Sequence, residues 1–220
     1  MITLTDVHKR YRGHHSSHWI LRGVTLQIPM HESVALIGCN GAGKSTLLRL
    51  IGGTDEPNRG TVRRTCRVSW PLGLQGNFQG SLSGRQNTKF VCRIHGTNDA
   101  MQDRLEFVKA FSELGEAYDD AVNTYSSGMR ARLAFAMSMA FDFDMYLVDE
   151  LTAVGDAAFK RKSQKAFEDR AGRAGLVMVS HSEATLRTFC RSAIWLHEGT
   201  VRCFGTVDEA LACYKESIAT

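Results

Sequence analysis

The segment ALIGCNGAGKSTLLRLIGG sets Gly38, Cys39, Asn40, Gly41, Ala42, Gly43, Lys44 and Ser45 into the pattern GxxxxGK[ST]. Residues 34–37 before it are a short apolar run, the pattern of a buried strand. Residues 46–51 after it read as a helix that opens at Thr46. In that strand–loop–helix setting the glycines let backbone N–H groups converge on phosphate oxygens with no Cβ in the way. The helix start adds its positive dipole end. Lys44 is placed to reach the β and γ phosphates, Ser45 to ligate Mg²⁺, and Thr46 joins the same phosphate-facing set. The loop does not fix the reaction class, because kinases, GTPases, helicases and transporter ATPases all use it.

Three further stretches carry reactive side chains. In MYLVDE, residues 145–150, four apolar residues form a buried strand that ends in two acids. Side chains alternate along a strand, so Asp149 and Glu150 point different ways. Asp149 is suited to hold Mg²⁺ through water and Glu150 to polarise an attacking water; two acids capping a helix is the plainer reading. In TYSSGMRARLAFAMSMAF, residues 124–141, a turn of small residues opens a helix with Leu133, Phe135, Ala136 and Met139 on or near one face. A hydroxyl and free N–H groups at a helix start suit an anion, and they equally suit an ordinary capped core helix. In LVMVSHS, residues 176–182, His181 stands just past an apolar strand.

The rest of the chain must hold these groups. With 220 residues, 43% apolar content and only 3 Pro, it forms one domain, or one domain with a subdomain, around a packed core. Net charge is +4, too mild to argue for nucleic acid. Six dispersed cysteines with no CxxC pair argue against a zinc site or a disulfide framework and for reduced thiols in a cytosol. MITLTDVHKR lacks the apolar core of a signal peptide, and no run approaches the length of a membrane span. Residues 69–90, SWPLGLQGNFQGSLSGRQNTKF, are too rich in turn formers for a helix and too apolar for a solvated linker. Met101, Leu105, Val108 and Phe111 repeat at helical spacing. WLHEGTVRCFG reads as a hairpin turning at Glu198–Gly199, and TVDEALACYKES as a helix capped by Thr206 with Glu209 three residues on. His14 and His18 are spaced i, i+4, but RGHHSSH reads as a hairpin loop rather than a metal-binding helix. The basic run RRTCR, residues 63–67, is most simply a solvated strand edge.

Taken in order, these motifs resemble the ATPases of ABC transporters over essentially the whole chain. The resemblance implies an α/β fold: a mixed-sheet catalytic core, N-terminal antiparallel β elements and an inserted α-helical subdomain at about residues 82–143 of one 1–220 domain. Tyr125, Ser126, Ser127, Gly128 and Met129 take the positions of the LSGGQ signature. Ser126, Ser127 and Gly128 would act in trans on ATP held by a second copy. AVGD, residues 153–156, takes the place of the D-loop and ends at Asp156, and Leu151 replaces the proline usual after the paired acids. Glu150 becomes the catalytic base and His181 the switch that contacts the γ-phosphate. Tyr11 falls where these ATPases stack an aromatic on adenine. The 69–90 segment becomes the Q-loop, with Gln79, or alternatively Gln75, as a Mg²⁺ ligand.

SWPLGL, FQGSLSGRQNTKFVCRIHG and DELTAVGD resemble, more narrowly, the ATPase subunits of Gram-negative capsular polysaccharide exporters. That implies ATP and Mg²⁺ as cofactors, an ATP-dependent homodimer and a polytopic membrane permease as partner. It also implies a peripheral place on the cytoplasmic face of the bacterial inner membrane, no transmembrane segment of the chain's own and no nucleic-acid partner. A chain that ends soon after its last expected helix leaves glycan selection to other subunits. ATPases of O-antigen or teichoic-acid export, and soluble non-transport ABC ATPases, are the rival readings.

Overall fold

The computed structural model describes residues 1–11, 18–72, 78–95, 100–149 and 156–219. The chain divides into two compact units: Met1–Pro71, Phe143–Leu151 and Ala171–Thr220 form the first, Leu72–Asp142 and Thr152–Arg170 the second.

The first unit is built on two sheets. Strands β1 (Ile2–Lys9), β2 (Leu21–Ile28) and β4 (Arg59–Arg64) make an antiparallel sheet in the order β2-β1-β4. β2 alternates as a one-sided strand should from Val24 on, with Val24, Leu26 and Ile28 buried, while an irregularity at Gly23, φ 68°, turns Leu21 inward as well. The larger sheet takes β3 (Ser33–Ile37), β5 (Val68–Leu72), β6 (Met145–Asp149), β7 (Gly175–Val179), β8 (Ser192–His197) and β9 (Thr200–Phe204) in the order β5-β6-β7-β3-β8-β9. β6, β7, β3 and β8 run parallel, and β9 returns antiparallel. The sequences SVALI, MYLVD and GLVMV are near-continuous apolar runs, as strands buried on both faces require. Helices α1 (Lys44–Gly52), α6 (Glu183–Phe189) and α7 (Val207–Ala219) complete the unit. Leu47, Leu48, Leu50 and Ile51 of α1 join Leu36, Leu147, Val177 and Leu196 in one core. Each such side chain contributes about 1.5–3 kcal/mol by leaving water. The expected hairpin is β8–β9, whose turn puts Glu198 at φ 47° and Gly199 at φ 79°, two left-handed residues in succession. The expected cap is also present: Thr206 Oγ1 accepts from Glu209 N at 3.3 Å.

The second unit carries α2 (Gly84–His95), α3 (Met101–Ser112), α4 (Ser127–Met139) and most of α5 (Ala157–Ala171). It takes in Thr152–Arg170, beyond the 82–143 span read from the sequence, because α5 buries Phe159 against Phe111 of α3 at 6.0 Å between ring centroids. Phe111 also stacks on Phe107 and Phe135. Leu105 and Val108 are buried as the helical stripe required.

Two local readings change. The 69–90 stretch is not all loop. Its first residues belong to β5, where Pro71 is tolerated because β5 is the edge strand. Its last residues start α2 through a capping box: Ser83 Oγ accepts from Gln86 N at 3.1 Å and Gln86 Oε1 accepts from Ser83 N at 2.9 Å. Four glycines in the stretch outweigh that S-x-x-Q signal when the sequence is read by composition. The basic run is likewise more than a solvated edge. Arg64 folds back on the C-terminus of α1, donating to the carbonyl oxygens of Ile51 at 2.6 Å and of Leu50. It thereby satisfies carbonyls that a helix end leaves open.

Candidate nucleotide site

The phosphate loop leaves β3 at Ile37 and enters α1. Gly38 has no alternative, since a Cβ there would lie 2.5 Å from the Leu196 carbonyl oxygen. Gly43 is the N-cap of α1 at φ 103°, and a Cβ would meet Ile20 Cγ2 at 2.7 Å. No side chain closes the first turn of α1 and no acid lies in it, so its N–H groups face the cleft with a positive dipole end. Lys44 Nζ donates to the carbonyl oxygens of Gly38 at 2.7 Å and Cys39 at 2.9 Å, which folds the ammonium over the loop. Ala42 N donates to Cys39 O and tightens the turn.

Strand register carries the rest of the site to the same place. Asp149 pairs with Val179 across β6 and β7, and β3 lies on the other side of β7. The carboxyl ends of the three parallel strands therefore open together, where ligands of α/β sheets bind. A cleft of about 260 Å³ forms there, lined by Ile20, Asn40, Gly41, Gly43, Lys44, Ser45, Thr46, Asp149 and Val179. Ser45 and Asp149 are half-buried in it. A hydroxyl and a carboxylate beside an uncapped helix start and a lysine are chemically suited to a polyphosphate with a hard, oxygen-seeking cation. Ile20 was not foreseen; the only signal for it is that a loop glycine needs an apolar neighbour to press against. His181 follows Val179 by two residues and is exposed at the same end of β7, just before Ser182, whose hydroxyl caps α6 by accepting from Thr185 N at 3.2 Å.

The other sequence-derived residues fall as follows. Tyr11 is 42% exposed and is not among the cleft-lining residues. Its hydroxyl donates to Asp55 Oδ2 at 2.6 Å, and Lys9 Nζ lies 4.8 Å from its ring centroid. Burial, then the Asp55 carboxylate, push the Tyr11 phenol above its ordinary value. Ser126 is the N-cap of α4, its Oγ accepting from Met129 N at 3.2 Å, and Ser126 and Ser127 are exposed at the helix start with Gly128 beside them. Tyr125, in the position of the signature leucine, is buried and donates to Ala117 O. Asp156 caps α5, accepting from Ala158 N at 3.0 Å and Phe159 N at 2.9 Å, and pairs with Arg132. Gln79 belongs to the helical unit. Its backbone is fixed by buried Asn87, whose Oδ1 accepts from Gln79 N at 2.9 Å, and its side chain is exposed. Glu150, Leu151, Ala153, Gln75, His14 and His15 lie outside the described residues. All six cysteines are free thiols. Among the described residues no cluster of three or more His, Cys, Asp or Glu forms a metal site, and no helix is long and apolar enough to cross a membrane.

Known proteins are similar to this chain in sequence and in fold. The profile of the ABC transporter family matches residues 21–153. The polysialic acid transport ATP-binding protein KpsT of Escherichia coli is 48% identical over 99% of this chain and 100% of its own length. The capsule polysaccharide export ATP-binding protein CtrD of Neisseria meningitidis is 42% identical over 97% of this chain and 98% of its own. An O-antigen export ATP-binding protein of Myxococcus xanthus is 42% identical over 90% of this chain, which spans 46% of that longer protein. Among solved structures, a dimeric ATP-binding cassette in a post-hydrolysis state with ADP and Pi has the same fold, with a TM-score of 0.74 and 23% identity over 94% of this chain and 99% of that one. By that family profile and by identity along nearly its whole length to transport ATP-binding proteins, the chain belongs to the ABC transporter family, as one of its ATP-hydrolysing subunits.

Proposed function

We propose that this chain powers the export of capsular polysaccharide, working as a pair of identical ATPases on the cytoplasmic face of the inner membrane beneath a membrane-spanning permease. One observation carries the reading: a cleft that gathers Asn40, Lys44, Ser45 and Asp149, in a chain with 48% identity along its whole length to a polysialic acid transport ATP-binding protein. Gly38 to Thr46 hold the phosphates, and the exposed ring of Tyr11 meets the base with its edge fixed by Asp55. Ser126, Ser127 and Gly128 close on the nucleotide held by the other copy. ATP bridging both copies binds the closed pair better than the open one, and only that difference in affinity can do mechanical work. Glu150 takes the role of general base, Asp156 ends the D-loop that follows it, and His181 reads the γ-phosphate. Ser45 and Asp149 are the residues that would hold Mg²⁺, which supplies charge neutralisation at the phosphates when bound. The 1–220 chain works as one nucleotide-binding domain whose helical part meets the permease.

The test is Lys44→Ala in the native cell. Hydrolysis by the purified variant should fall by roughly 100-fold or more, and capsular polymer should vanish from the surface and accumulate inside. Unchanged surface polymer, with the variant stably present, would overturn the export assignment. A second reading, O-antigen export, is favoured by the 42% identity to the Myxococcus protein; under it the same variant loses O-antigen and keeps capsule.

A further inference from the structure

Arg132 lies on α4, in the second turn beyond the signature, and its side chain is 18% exposed. Its Nη2 reaches Asp156 Oδ2 at 2.7 Å while its Nη1 stands 3.4 Å from Glu113 Oε2. The guanidinium lies over the Phe159 ring at 4.6 Å. Glu113, left-handed at φ 56° where α3 ends, also holds Lys162 of α5 at 2.7 Å. Lys162 donates in turn to Phe111 O at 3.0 Å. One guanidinium thus ties the end of α3, the body of α4 and the start of α5. Partners this open to solvent, 65% for Asp156 and 46% for Glu113, stabilise a fold little. What the arrangement fixes is direction. Asp156 is already engaged by two N–H groups of α5, so its second oxygen can reach α4 in few geometries, and the planar fork of Arg132 selects one.

We propose that Arg132 is a positioning residue for ATP hydrolysis: by clamping Asp156 to the helix that starts at Ser126, it presents the signature turn and the start of α5 as one rigid face to the second copy of the chain. This rests on the reading above, in which both elements meet nucleotide held across a dimer. Arg132 is not one of the residues that line the phosphate cleft, all of which belong to the other unit. Its loss should therefore act on turnover and spare nucleotide affinity.

The experiment measures kcat and KM for ATP, with thermal melting, in the full chain. Arg132→Ala should lower kcat by roughly 10- to 100-fold, the cost of a slightly misplaced group remote from the chemistry, with KM changed by less than about twofold. Asp156→Asn keeps a good helix cap and loses the ion pair, and should show the same split. Arg132→Lys, with the charge but not the fork, should recover part of the loss. The double variant Arg132→Ala/Asp156→Asn should be no slower than the slower single, because both break one linkage. Multiplying losses in the double variant, or losses in kcat that simply follow melting, would overturn the proposal. If Arg132→Ala does not fold, wild-type turnover in Asp156→Asn overturns it alone. Failure of the underlying reading looks different: wild-type protein and Lys44→Ala would then hydrolyse ATP equally.

Discussion

Gly43 carries two constraints at one atom. Its φ of 103° is a conformation that side chains rarely adopt, and the space where a Cβ would sit is taken by Ile20. Gly43→Ala should therefore cost about 1–3 kcal/mol in unfolding by denaturant. It should also abolish binding of a fluorescent ATP analogue, because relief of the clash must move the loop that the phosphates occupy; retained binding would mean that the cradle is less rigid than its geometry implies. At the far end of the same helix Arg64 closes the last carbonyls and packs over Gly53, 3.3 Å from where a Cβ would be. Burial lowers the pKa of its guanidinium from the ordinary value, yet it stays charged at any working pH.

Helix starts divide by what closes them. α2, α4, α5, α6 and α7 are capped by Ser83, Ser126, Asp156, Ser182 and Thr206, whereas α1 and α3 have no side-chain cap, and of these two only α1 starts in the phosphate-loop cleft. Ser126→Ala should lower stability by about 1 kcal/mol, as loss of such a cap does, measured by urea unfolding. Asp156 adds a pH signature. The N–H of Phe159 first, then that of Ala158 and the Arg132 guanidinium, hold its carboxyl below the usual carboxylate range. A depressed carboxylate lends stability that is complete above its unfolded-state pKa and is lost as pH falls through the folded-state value. Acid titration of melting temperature should show this component in the wild type and not in Asp156→Asn; identical acid limbs would mean the cap is not charged.

At the scale of the molecule, the proposed function uses two copies of the chain. Glu150→Gln should bind ATP, run as a dimer in gel filtration with ATP present, and hydrolyse very slowly, because nucleotide that is not consumed keeps the pair closed. Wild-type turnover would remove Glu150 from the role of base. Among the described residues no helix of this chain is long and apolar enough to cross a membrane.

The sequence by itself determined whatever is local. GCNGAGKS dictates a glycine loop before a helix, MYLVD and GLVMV dictate buried strands, and a turn at Glu198–Gly199 dictates a hairpin, because each outcome depends on steric freedom or periodicity within a few residues. The capping box at Ser83 and Gln86 was equally local and was masked by the glycines around it. Only the tertiary structure decided which residues meet. The register of β6 on β7 brings Asp149 to the cleft and the close approach of Ile20 requires Gly43, while the fold of α3, α4 and α5 makes Arg132 the partner of Asp156 and Glu113. No spacing rule reaches such pairs, because they are set by how separate elements pack and not by the period of any one of them.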